Sequence, residues 1–139
     1  MKNLLILQSV AFFVGCASNW EQVPAQYEFM DRPTEARIEL SYTNETHGKV
    51  CLLPEHWPNQ AGKINQASKY IFLVVGNERF PIDEFNTGYC PGGCALVVRP
   101  GQTVSSSISY NDFRLPSNLV HAAKRLEFSL TAFTCPYEK

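Results

Sequence analysis

The sequence predicts an all-β fold, an antiparallel β-sandwich of immunoglobulin-like form with about seven strands. Three observations carry this. From position 36 onward apolar residues recur with a period of two or in short unbroken runs, which is the pattern of strands. Turn signals built on Gly, Pro and Asn separate those runs at short spacing. No stretch offers the long helices that parallel crossovers require, so the strands pair antiparallel. A small closed β-barrel is the alternative assembly of the same strands. The Cys…Trp…Cys pattern of antibody domains is absent, so only the architecture is inferred.

The elements follow in order. Ile38, Leu40 and Tyr42 alternate with Arg37, Glu39, Ser41 and Thr43, giving a half-buried strand. Asn44 to Gly48 is a turn, and Lys49 to Leu53 a second strand. Pro54 to Lys69 is a long polar loop. Tyr70 to Val75 is an apolar run suited to a strand covered on both faces. Gly76-Asn77 then connects it to Glu78–Ile82 as a two-residue hairpin of the II′ kind. Asp83 to Gly93 is a loop, and Ala95 to Val98 another strand. Arg99-Pro100-Gly101-Gln102 places Pro-Gly at the centre of a type II turn. Thr103 to Tyr110 alternates through Val104, Ser106, Ile108 and Tyr110. Pro116 to Lys124 holds one helical turn with Ser117 as its cap. Leu126, Phe128, Leu130 and Ala132 then mark one long final strand.

The other end of the chain carries an address. Met1-Lys2-Asn3 supplies a positive charge, and Leu4 to Val14 is apolar apart from Gln8 and Ser9. That run is too short to cross a bilayer as a helix, which takes about 20 residues, and has the build of a secretory signal peptide. It ends in Val14-Gly15-Cys16-Ala17-Ser18, which resembles the lipobox of bacterial lipoproteins, with Phe13 where that family usually has leucine. The resemblance implies removal of residues 1–15, a diacylglycerol thioether on Cys16 and a third acyl chain, commonly palmitate, on the new amine. Ala17 in place of Asp implies retention at the outer membrane of a Gram-negative bacterium, facing the periplasm. Residues 16–35 read as the lipidated end and a flexible tether reaching on the order of 25 Å, and 36–139 as the sandwich domain. Trp20, Tyr27 and Phe29 within the tether either dock on the domain or rest at the lipid interface.

Charge narrows the partners. Without Lys2 the 12 basic residues become 11, against 13 acidic ones, and no block of like charge exceeds two residues. Neither a phosphate-binding face nor an acidic tail is indicated, so nucleic acid and anionic membrane surfaces are not expected partners. The five cysteines are an odd number for an exported chain. Reserving Cys16 for lipid leaves Cys51, Cys90, Cys94 and Cys135, an even set for an oxidising compartment. Four cysteines allow three connectivities. The favoured one closes Cys90-Pro91-Gly92-Gly93-Cys94 on itself, because Pro and two glycines let the chain double back, and joins Cys51 to Cys135.

The same C-x-x-x-C pair, with His47, His56 or His121 as a nitrogen donor, resembles the copper motif of Sco-type assembly proteins, which carry it on a thioredoxin-like scaffold unlike this strand pattern. Periplasmic copper or thiol handling through Cys90 and Cys94 is therefore the alternative function. Catalytic signatures are lacking: there is no G-x-S-x-G elbow, no H-E-x-x-H, no phosphate-cradling glycine loop, and Asp83-Glu84 are loop neighbours that do not aim at one point. The chain is expected to be no enzyme and to need no cofactor or metal. What remains is recognition. His56 and Trp57 stand between Pro54 and Pro58 on the long loop, and Tyr89 precedes the Pro91-Gly92-Gly93 ring. Aromatic rings on constrained loops give contact area at small entropic cost. The expected work is non-catalytic binding of an envelope protein, as inhibitor, immunity protein or assembly factor.

Overall fold

The computed structural model describes residues 20–65, 71–85 and 95–135. Among them ten short strands form three antiparallel sheets, none closed on itself, with 3-10 turns and no α-helix. The fold is the all-β antiparallel sandwich expected, not the barrel. The first sheet orders β1 (Gln22–Val23), β10 (Ala132–Thr134), β4 (Val50–Leu52) and β7 (Leu96–Val98). The second orders β2 (Glu28–Arg32), β3 (Arg37–Thr43) and β8 (Thr103–Ser109). The third orders β6 (Glu78–Pro81), β5 (Phe72–Val75) and β9 (Lys124–Glu127).

Alternation places the core. Ile38, Leu40 and Tyr42 of β3 and Ile108 of β8 turn inward and meet Val50, Leu52, Val98 and Ala132 of the first sheet in one buried cluster. Leu73, in the middle of the third sheet, joins the same cluster. Residues 71 and 73–75 are buried, as expected for a strand covered on both faces. Arg79 lies over the Phe72 ring at 4.0 Å and helps supply the outer cover. Between β5 and β6, φ is positive at Gly76 (58°) but not at Asn77, the pattern of a II′ turn. Gly101 likewise has φ of 74°, and the Gln102 amide donates to the Arg99 carbonyl at 3.0 Å, closing the type II turn.

Asn44 secures the turn after β3 from within. It is fully buried, and its Nδ2 donates to the carbonyls of Gly48 (2.8 Å) and Val98 (2.9 Å), while its Oδ1 accepts from the Thr46 amide (2.9 Å) and hydroxyl (2.7 Å). All four side-chain hydrogen-bonding positions are used, which is what burial of an amide requires.

Three expectations are corrected. Residues 20–35 are no tether. β1 pairs with β10, β2 pairs with β3 over five residues, and Val23, Ala25, Tyr27 and Phe29 pack on the core. The domain therefore starts well before position 36, because this segment brings its own apolar face to bury. The single long final strand is two strands in different sheets: β9 pairs with β5 and β10 with β4 and β1. The inward alternation runs on through Phe128 and Leu130, but β9 ends at Glu127 and β10 begins at Ala132, so both lie in the stretch where the chain changes sheet. At the 3-10 turn Ser117–Leu119 the cap position belongs to Pro116, whose extended ψ of 141° sets it before the turn, and no side chain caps it.

The Cys51–Cys135 disulfide forms as favoured, with a Cα–Cα distance of 5.1 Å. Cys51 lies opposite Phe133 in the β4–β10 ladder, so Cys135, two residues on, shares its face as the diagonal neighbour. The bond spans 84 residues of sequence. A closed loop of that size raises stability by about 4 to 5 kcal/mol in the chain-entropy account, native strain subtracting from it. The double variant Cys51→Ser/Cys135→Ser is expected to lose about 2 to 5 kcal/mol in urea unfolding. A loss below about 1 kcal/mol would show that this bond does not constrain the unfolded chain.

Candidate functional site

The loop after β4 is built to stay still. Its His56 amide donates to the Leu53 carbonyl (2.8 Å), and the Asn65 amide to the Pro54 carbonyl (2.9 Å). Asn59 Oδ1 accepts from the amides of Ala61 (2.9 Å) and Lys63 (3.0 Å), an Asx turn, and Lys63 is paired with Asp112. The loop divides its two aromatic residues between opposite sides. His56 lies outside, its ring 5.9 Å from that of Phe133. Trp57 lies inside, only 4% exposed and edge-on to Tyr42 at 6.4 Å. The expectation that the loop presents the Trp57 ring is thus corrected: its indole packs into the apolar space beside Tyr42, and only one edge of it reaches the adjoining groove.

The loop also shapes a groove of about 450 Å³ at the seam between β7 and β8, each an edge of its sheet among the described residues. Its floor and walls are Leu52, Pro54, Pro58, Leu96, Val104 and one edge of Trp57, with Asn59, Gln60 and Ser105 along one lip. Leu96 is 41% exposed although it lies opposite the buried Leu52, since it lines the open groove. Among the described residues no lining side chain titrates in the neutral range, so those residues offer apolar burial and hydrogen bonds. Further along, the β8 edge is shielded. Gly62 (φ 73°) is buried against it so closely that a Cβ there would stand 2.2 Å from the Ser107 carbonyl oxygen.

A second cluster, inside the domain, escapes the sequence reading. The side chain of Lys124 is 0% exposed and donates to Asp31 Oδ2 (3.1 Å), to the Ala122 carbonyl (2.9 Å) and to the Val120 carbonyl. It also lies over the Tyr110 ring at 4.7 Å, and the Tyr110 hydroxyl donates to the other oxygen of Asp31. All three ammonium hydrogens are used, as a buried cation demands. Burial, then the hydrogen bond to Asp31 and its charge, push the Tyr110 hydroxyl far above its ordinary value. Burial raises Tyr27, and burial followed by the charge of Glu45 raises Tyr42.

The outer face of the second sheet is different again. Hydroxyls of Ser41, Ser105 and Ser107 alternate there with Glu28, Glu39, Arg32 and Arg37. Glu39 is held below the ordinary carboxylate range first by its hydrogen bond from Arg32 and then by Arg37. Exposed pairs of this kind add little stability but keep the face wet.

Of the other predicted site residues, Cys16, Tyr89, Cys90, Pro91, Gly92, Gly93 and Cys94 lie outside the described residues. His56 is near the groove loop but faces away from the groove. No group of three or more His, Cys, Asp or Glu stands together as metal ligands among the described residues. No protein-family model matches the chain, and no curated protein is similar to it in sequence.

Two outcomes are expected. Lys124→Met leaves Asp31 turned inward without its cation and costs about 3 kcal/mol or more. Adding Asp31→Leu recovers part of that, as a double-mutant cycle in urea will measure; a single-variant loss under about 1 kcal/mol would contradict the pairing. The tyrosines set an alkaline limit. An unfolded tyrosine ionises near pH 10, and a raised folded value means stability is full below that pH and lost above it. Tyr27, Tyr42 and Tyr110 should therefore ionise only with unfolding, seen as coincident changes in phenolate absorbance and circular dichroism above about pH 10.

Proposed function

We propose that this protein is a lipid-anchored, non-catalytic binding module at the periplasmic face of the outer membrane, and that it holds an envelope protein partner in the groove between β7 and β8. The groove carries this reading: an apolar, non-titrating cleft with Leu96 exposed, walled by a loop that hydrogen bonds and an Asx turn hold in place. Free strand edges on either side offer backbone donors and acceptors to an extended segment, while the groove takes its alternate side chains. A rigid site of this kind loses little entropy on binding, which suits an inhibitor, an immunity protein or an assembly factor. The lipobox resemblance at Cys16 supports the location.

Burying a leucine contributes about 1.5 to 3 kcal/mol, so replacing Leu96 by a charge should weaken binding tenfold or more. A photoreactive residue at position 96 should give one discrete adduct in the cell envelope. The same residue at Ser41, on the outer face of the second sheet, should give none, and Leu96→Asp should fold with unchanged thermal stability. Adducts at Ser41 and none at position 96 would move the site off the groove.

A further inference from the structure

The two outer faces of the sandwich are unlike, and the chain leaves the domain from one of them. On the second sheet the outward residues are Ser, Thr and charged, with Met30 at 50% exposure on that face. On the first sheet the outward row crosses Gln22, Phe133, Cys51 and Val97. Trp20, two residues before Gln22 and hence on the same face, is 39% exposed and stands edge-on to Phe133 at 6.0 Å. Trp20 and Val97 are exposed on this face and Phe133 partly so, with the His56 ring beside Phe133, while Cys51 in the same row is buried.

We infer that this outer face, around Trp20 and Phe133, lies on the phospholipid surface, and that the docked N-terminal segment holds it there. The inference rests on the reading of Cys16 as the lipidated residue. Its weight comes from the length of chain outside the described domain. Four peptide steps separate Cys16 from Trp20, and whatever path they take they span at most about 14 Å. A tether over residues 16–35 would let the domain drift clear of the bilayer. With β1 paired to β10 and the Glu21 amide donating to the Thr134 hydroxyl (3.3 Å), that slack does not exist. An indole kept so close to an acyl anchor sits at the depth where amphipathic rings are favoured. β1 is one edge of the first sheet and β7 the other, so the groove opens about three strand spacings, or about 14 Å, from the anchored edge. A partner can then reach the groove while the Trp20 face is occupied by lipid.

The test uses the full-length lipidated protein in vesicles of phosphatidylethanolamine and phosphatidylglycerol doped with phosphatidylcholine brominated near the glycerol end of its chains. Emission lost on Trp20→Phe belongs to Trp20, and what remains comes from the buried Trp57. Trp20 emission should be quenched at least about twofold and Trp57 emission little changed. A tryptophan placed on the opposite face, Met30→Trp in the Trp20→Phe background, should also stay unquenched. An unquenched Trp20, or equal quenching of the Met30→Trp reporter, overturns the orientation while leaving the anchor intact. Mass spectrometry of the processed N-terminus separates the two claims: an unmodified Cys16 removes the anchor and with it this inference.

Discussion

A single buried ammonium ties two of the domain's three sheets, the second and the third, to one another. Lys124 starts β9 in the third sheet, its partner Asp31 lies in β2 of the second, and Tyr110 beneath it follows β8. Stripping water from such a cation is costly, and the site offsets this with three acceptors, one of them charged, and the face of an aromatic ring. Asp31 takes an inward position in β2, opposite Ile38, and there it meets Lys124. With that carboxylate satisfied inside, β2 can keep its register against β3, and the chain before it can lie against the core.

That docking decides how the molecule meets its surroundings. A flexible N-terminus would leave every face of the sandwich equally available. The docked segment brings Trp20 onto the outer face of the first sheet, and the second sheet presents a separate, hydroxyl-rich face. The Cys51–Cys135 bond lies on the same side as Trp20, bracing β4 to the end of β10 where the N-terminal strand is received. In antibody domains the disulfide bridges two sheets. Here it ties neighbouring strands of one sheet.

The groove arises from incompleteness. The first and second sheets meet over Leu52, Leu40 and Ile108 but stop short of closing at β7 and β8, and the loop from Pro54 fills only part of the gap. Trp57 supplies the fill and Gly62 the close approach that covers the middle of the β8 edge. What stays open is a short length of two edges with an apolar floor. Natural sheets shield such edges unless they have a use for them.

The strands at 37–43 and 103–109 were legible because burial there follows side-chain parity, and those at 50–52 and 72–75 because short unbroken apolar runs mark strands buried on both faces. Turn chemistry at Gly76-Asn77 and Pro100-Gly101 was legible for the same local reason. The N-terminal strands carried a readable alternation too, in Val23, Ala25, Tyr27 and Phe29. Two features masked it: the prolines at 24 and 33, and an aspartate at the next inward position. Asp31 looks like a surface residue until a lysine 93 positions later is seen to meet it. Parity records which side chains go inward but not which strand lies alongside, so residues 126–132 read as one strand although they serve two sheets. Sequence by itself determined the class of fold and the turns, and among three possible connectivities it only favoured the pairing of cysteines 51 and 135. Only tertiary structure decided the sheet partners, the inward Asp31–Lys124 pair, the burial of Trp57 and the opening beside Leu96, because each depends on what arrives from a distant part of the chain.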